Sequence, residues 1–167
     1  MSKILLPTLI LVFTGLVLSS LKAGAAETST VTATVTAQNV SVTVSDNSVT
    51  YGTMSLGSSK STITLSDTQT ATNAGNVTSQ LNIKGQNSTG WTLAGTAGSD
   101  QYVHKFCVSS CSTPPTNYTA LTVNYQTLSA SIAASGTQNF DLELTVPNSS
   151  STYTQQSVDV IVQAVAL

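Results

Sequence analysis

Apolar and polar positions alternate with a period of two along nearly the whole chain after residue 28, and no stretch of useful length shows helical periodicity. Val31, Ala33, Val35 and Ala37 keep odd phase, whereas Val40, Val42 and Val44 keep even phase. The inward face therefore flips near Gln38 and Asn39. A β-bulge produces such a flip, and so does a strand that leaves one sheet, or one molecule, for another. Further strands are expected over 49–52, 61–66, 70–72, 77–84, 91–94, 101–108, 120–125, 138–146 and 157–165. Turn-forming residues separate them, notably Asp46-Asn47-Ser48 and Asn73-Ala74-Gly75-Asn76. Short strands punctuated in this way predict one antiparallel β-sandwich. Its expected core is Val40, Val42, Tyr51, Ile63, Leu65, Leu81, Ile83, Trp91, Leu93, Phe106, Leu121, Val123, Phe140, Leu142, Leu144, Val158, Val160 and Val162.

The start of the chain has a different pattern. Lys3 precedes an uncharged stretch from Ile4 to Leu21, and Ala23-Gly24-Ala25 follows with the small residues a signal peptidase reads. Residues 1–26 are expected to be a signal peptide, cleaved after Ala25 or Ala26. A retained anchor is the alternative, since 18 uncharged residues sit at the lower edge of spanning length, but Pro7, Ser19 and Ser20 weaken a permanent span. This divides the chain into the signal peptide, an N-terminal strand at 27–39 and a sandwich domain at 40–167. The segment from Thr28 to Ala37 contains no Pro, Gly or charged residue. It reads either as a donor strand for another subunit, presenting Val31, Ala33, Val35 and Ala37 on one face, or as a first strand folded back on its own sheet.

Composition narrows the function classes. After residue 26 there are three Lys, no Arg and seven acidic residues, so the formal charge is 3 − 7 = −4. Lys60, Lys84 and Lys105 cannot build a basic patch, which argues against nucleic acid and against an anionic membrane surface as partners of the mature form. Abundant Val and Thr suit strands, where β-branched side chains pack on a pleated surface. Five Asn-x-Ser/Thr sequons, at Asn39, Asn76, Asn87, Asn117 and Asn148, are possible glycosylation sites.

Little points to catalysis. Cys107 and Cys111 are separated by Val-Ser-Ser and are expected to form a disulfide in an exported protein. With His104 they fall short of a zinc site, so neither metal nor cofactor is expected. No Gly-x-Ser-x-Gly elbow accompanies His104, which shares its strand phase with Tyr102 and Phe106. Asp141 and Glu143 sit two apart beside Phe140, Leu142 and Leu144, as the solvent face of an amphipathic strand would. Trp91, the one Trp, reads as a core anchor ahead of a sugar-stacking platform. The chain is not expected to be an enzyme.

The segments Val49-Thr-Tyr-Gly-Thr-Met-Ser-Leu-Gly57, Ser61-Thr-Ile-Thr-Leu65 and Thr72-Asn-Ala-Gly-Asn-Val77 resemble a pattern of secreted surface proteins. In that pattern a strand ending in Gly is followed by a Thr-Asn-x-Gly-Asn turn. It looks like the TasA/camelysin family of biofilm-matrix fibre subunits and related archaeal filament proteins. That resemblance implies an Ig-like or jelly-roll-like sandwich and a homopolymer, in which the N-terminal strand of one subunit fills a groove in the next. Gly90-Trp-Thr-Leu93, with Leu144-Thr-Val-Pro147 and Tyr153, is also similar to WxL surface domains, although Val160-Ile161-Val162 stands where a second Trp-x-Leu would fall. This second resemblance implies an adhesion module for cell-wall or host glycans. The first expectation is thus a secreted structural subunit of an extracellular filament, biofilm matrix or cell-surface layer. The alternative is a carbohydrate-binding surface module.

Overall fold

The computed structural model describes residues 27–112 and 116–167. The expected signal peptide lies outside the described residues. All the strands belong to one compact unit, residues 36–167. In chain order they are β1 (Val42–Val44), β2 (Ser59–Ser61), β3 (Gln69–Asn73), β4 (Ser79–Gly85), β5 (Thr92–Leu93), β6 (Gln101–Cys107), β7 (Thr119–Ala120), β8 (Gln126–Ile132), β9 (Thr137–Thr145) and β10 (Val160–Ala166), with one helical turn, α1 (Thr62–Leu65).

The chain is nearly all β, as the period-two pattern implies. One sheet runs β1-β3-β9-β6-β5, with β2 also on β9 and β7 also on β6; the other runs β10-β4-β8. Almost all pairings are antiparallel; β5 with β6 is parallel. Ala71, Phe106, Phe140 and Leu142 from the first sheet meet Leu81, Ile83, Leu128 and Ile132 from the second in one buried cluster. A second cluster gathers Tyr51, Tyr102 and Leu144. Removing these groups from water supplies the main stabilising term, on the order of 2 kcal/mol for each large apolar side chain.

The expected strand at 61–66 is not a strand. Ile63 and Leu65 alternate as a strand would, yet Ser61 caps a helical turn, its Oγ 3.4 Å from the Thr64 amide. Ser66 ends the turn in the left-handed region at φ 56°. Residues 59–73 therefore follow β9 as one strand interrupted by this turn, with Ser61 opposite Glu143 and Gln69 opposite Phe140. No strand forms over 49–52, where Gly52 takes φ +72°. The expected strand at 120–125 shrinks to β7, because Thr122, Asn124 and Gln126 tie the chain into a turn. Strand β8 was not anticipated, and it supplies the buried Leu128 and Ile132. The turn at Asp46 and Asn47 forms as expected, both residues holding positive φ, 68° and 56°.

The core differs from expectation at its edges. Val40 and Val123 are exposed, Ile63 and Leu65 are half-buried, and Ala71, Tyr102, Val103 and Val146 are buried instead. Asp141 and Glu143 do not face solvent: each is 6% exposed. Asp141 Oδ1 accepts hydrogen bonds from Thr62 Oγ1 and Thr68 Oγ1, both at 2.8 Å, and so staples the two ends of the helical interruption to β9. Lys105 Nζ donates to Glu143 Oε1 at 2.8 Å. Breaking a buried pair is costly because the remaining charge keeps its desolvation penalty. Lys105 is 21% exposed, so water offsets part of the loss. Lys105→Met is therefore expected to destabilise by about 2 kcal/mol, and adding Glu143→Leu to recover most of it. Urea unfolding of the single and double variants checks this; additive losses would contradict it.

Candidate functional site

Along one side of the sandwich the two sheets approach each other without strand pairing between them. Among the described residues β1 has a strand partner only in β3, and β10 only in β4. Val42 and Val44 of β1, and Val160, Val162 and Ala164 of β10, pack against the main core but stay only partly buried. In a closed sandwich these inward valines would be covered, as Leu128 and Ile132 of β8 are. A groove of ≈1370 Å³ lies beside them. Its apolar lining includes Val44, Phe140, Leu142 and Leu144 of β9, and Val158, Val160 and Val162. Loop residues 47–56 and 150–157 complete the lining with polar side chains and with Val49, Met54 and Leu56, and Asp159 is its one carboxylate among the described residues.

Tyr51, Trp91 and the single His also line this groove. Tyr51 Oη and His104 Nε2 share a hydrogen bond at 3.1 Å. His104 is 2% exposed, and its Nδ1 has no hydrogen-bond partner among the described residues. Burial pushes the His104 pKa down to about 4, against a smaller opposing pull from the Val158 backbone. The imidazole is therefore neutral near pH 7. Burial also raises the Tyr51 phenol well above its usual range, so this pair carries no charge. His104 thus belongs to the inward strand face with Tyr102 and Phe106, as its phase implies, and its partner is a phenol. Trp91 is half-buried; its Nε1 donates to Ser150 Oγ at 2.8 Å, and its ring lies 6.3 Å from that of Tyr102.

The expected donor residues are in a different setting. Residues 27–41 form no strand, and Val31 and Val35 are 91% and 96% exposed. Residues 37–41 are held by the turn between β3 and β4: Asn39 N donates to Asn76 Oδ1, and Asn76 Nδ2 donates to the Ala37 carbonyl, each at 2.8 Å. The sequence pattern marked Gln38 and Asn39 as a phase break but gave no sign of what grips the chain there.

The Cys107–Cys111 disulfide is present, with Cα atoms 5.7 Å apart. The loop beyond it is tied by Tyr118 Oη and Asn117 Nδ2, which donate to the Cys111 and Ser110 carbonyls. The five sequon residues Asn39, Asn76, Asn87, Asn117 and Asn148 are all exposed and lie outside every strand. Asn73, which is not in a sequon, is fully buried. No group of His, Cys, Asp and Glu suited to a metal ion occurs among the described residues. The helices among them include none long and apolar enough to cross a membrane.

No family model matches the chain, and searches of curated proteins and of solved structures found no match.

Proposed function

We propose that this chain is a secreted, non-enzymatic subunit of an extracellular filament, biofilm matrix or cell-surface layer, assembled by N-terminal strand exchange. The observation that carries this reading is the unpaired side of the sandwich, where Val160 and Val162 stay half-buried on a strand with one free edge. An exposed apolar edge is a liability unless something covers it. Residues 28–37 of a second copy have the matching properties. At ~3.3 Å per residue that segment reaches about 33 Å, enough to run alongside all of β10. It is uncharged, and the groove lining is nearly so. Its alternation lets Val31, Ala33, Val35 and Ala37 enter the groove while the threonines face outward.

Added to β10, the segment gains main-chain hydrogen bonds from the free edge and buries its small apolar face. The donor and acceptor surfaces differ, so the contact is heterologous and repeats into a filament unless its rotation closes a ring. We read the two-sheet arrangement as an Ig-like or jelly-roll-like sandwich lacking one strand. The disulfide supports an oxidising compartment and hence export. The exposure of all five sequon residues supports glycosylation.

The test is self-association of the chain beginning at Glu27. Light scattering is expected to rise with time, with filaments visible by negative-stain microscopy. A monodisperse monomer at high concentration would overturn the reading.

A further inference from the structure

The turn Asn73-Ala74-Gly75-Asn76 does more than join β3 to β4. Asn73 builds it from within: its Nδ2 donates to the Val77 and Ile132 carbonyls at 2.8 and 3.0 Å, and its Oδ1 accepts from Gly75 N at 3.0 Å. Gly75 leaves room above it, since a Cβ at that position would collide with the Asn39 carbonyl oxygen and lie 3.2 Å from Ser41 N. Main-chain bonds then run from Ala74 N to the Ser41 carbonyl at 3.0 Å and from Asn76 N to the Asn39 carbonyl at 3.1 Å. The Asn76 side chain continues this ladder by one step. Its amide accepts from Asn39 N and donates to the Ala37 carbonyl, as the peptide group of a neighbouring strand would. The pairing is centred on Gln38, where the apolar phase flips.

We propose that this turn is a clasp that fixes the root of the N-terminal segment, with Asn76 as a positioning residue for strand addition. The role in assembly rests on the strand-exchange reading; the clasp itself does not. The physical reason is entropic. A segment rooted at residue 37 presents its apolar residues from a fixed point. Without the Asn76 amide the free chain extends to Asn39, whose carbonyl the turn still holds, and each freed residue must be ordered again when a neighbour binds. The exposed side chain of Asn76 contributes little to the sandwich, so its loss should separate assembly from folding.

Three variants of the chain beginning at Glu27 test this. Asn76→Ala removes both side-chain bonds. Asn76→Asp keeps the acceptor for Asn39 N and loses the donor to Ala37. Thr78→Ala destroys the sequon while leaving the Asn76 amide in place, which separates any glycan effect from the clasp. In dilute monomer, exchange of the Asn39 amide hydrogen is expected to quicken roughly tenfold in Asn76→Ala, with an intermediate rise in Asn76→Asp and none in Thr78→Ala. Filament elongation should slow in the same order, with the thermal midpoint unchanged. Unaltered Asn39 exchange in Asn76→Ala overturns the clasp. Faster exchange with wild-type elongation overturns the positioning role and leaves strand exchange standing. A wild-type chain that never elongates overturns strand exchange, and with it the role in assembly.

Discussion

Deleting residues 27–37 is expected to abolish filament growth and to leave the sandwich folded. This is the largest effect expected of any change to the chain. Val31 and Val35 are 91% and 96% exposed, so their loss uncovers no core. The clasp loses only the bond to the Ala37 carbonyl. The thermal midpoint should stay within a few degrees of the parent chain, since changes at exposed positions typically fall within about 0.5 kcal/mol. Assembly should fall below detection by light scattering, because the truncated chain keeps an acceptor groove and has nothing to place in it.

A point substitution separates sequence from length. Val35→Lys leaves the segment intact and sits at an exposed position, so folding should not change. In the filament it would bring an ammonium into a largely apolar groove, a penalty of several kcal/mol wherever it lies out of reach of Asp159. A peptide spanning 28–37, added in trans, should slow growth of the parent chain by occupying the groove. Normal filaments from the truncated chain would remove the N-terminal segment from the mechanism.

Acidification should destabilise the domain by an amount that traces to His104. Its folded pKa is about 4, against 6.5 for an unperturbed imidazole, because burial disfavours the charged ring. Between these values the unfolded chain binds a proton that the folded chain does not. Stability therefore falls as pH drops from about 6.5 toward 4, and the His104 contribution is constant outside that window. The shift corresponds to about 3 kcal/mol. The groups facing His104 do not buffer this: burial raises Tyr51 far above its usual range and Tyr102 to about 12. Carboxylates elsewhere titrate at low pH, so the measurement is a comparison. Unfolding free energies of the parent and of His104→Gln, taken from pH 7 to 4, should converge as pH falls. Parallel curves would show that the His104–Tyr51 pair does not set the acid limit.

Much of the architecture was legible in the sequence, because a strand with one buried face writes its period directly into the chain. Strands β4, β6, β9 and β10 fell close to their expected positions, and their alternating Leu, Ile, Val and Phe form most of the core. The misses share one cause, which is that identical alternation serves different ends. Ile63 and Leu65 alternate, but Ser61 and Ser66 cap a helical turn there. The pattern around Val123 suggested a strand, but local side-chain bonds made a turn. Asp141 and Glu143 alternate with leucines and read as a solvent face. They are buried because α1 and Lys105 bring them partners from elsewhere in the chain.

The sequence by itself determined the all-β class, the disulfide partners, the uncharged N-terminal segment and the phase break at Gln38 and Asn39. Those features depend on neighbours along the chain, or on composition alone. Only the tertiary structure decided that β10 has a free edge beside an open groove, that Tyr51 meets His104, and that Asn76 grips residues 37 to 39. The Tyr51 contact joins positions 53 residues apart, and the Asn76 contacts join positions 37 and 39 residues apart. Folding creates such contacts between segments whose local patterns carry no mark of one another.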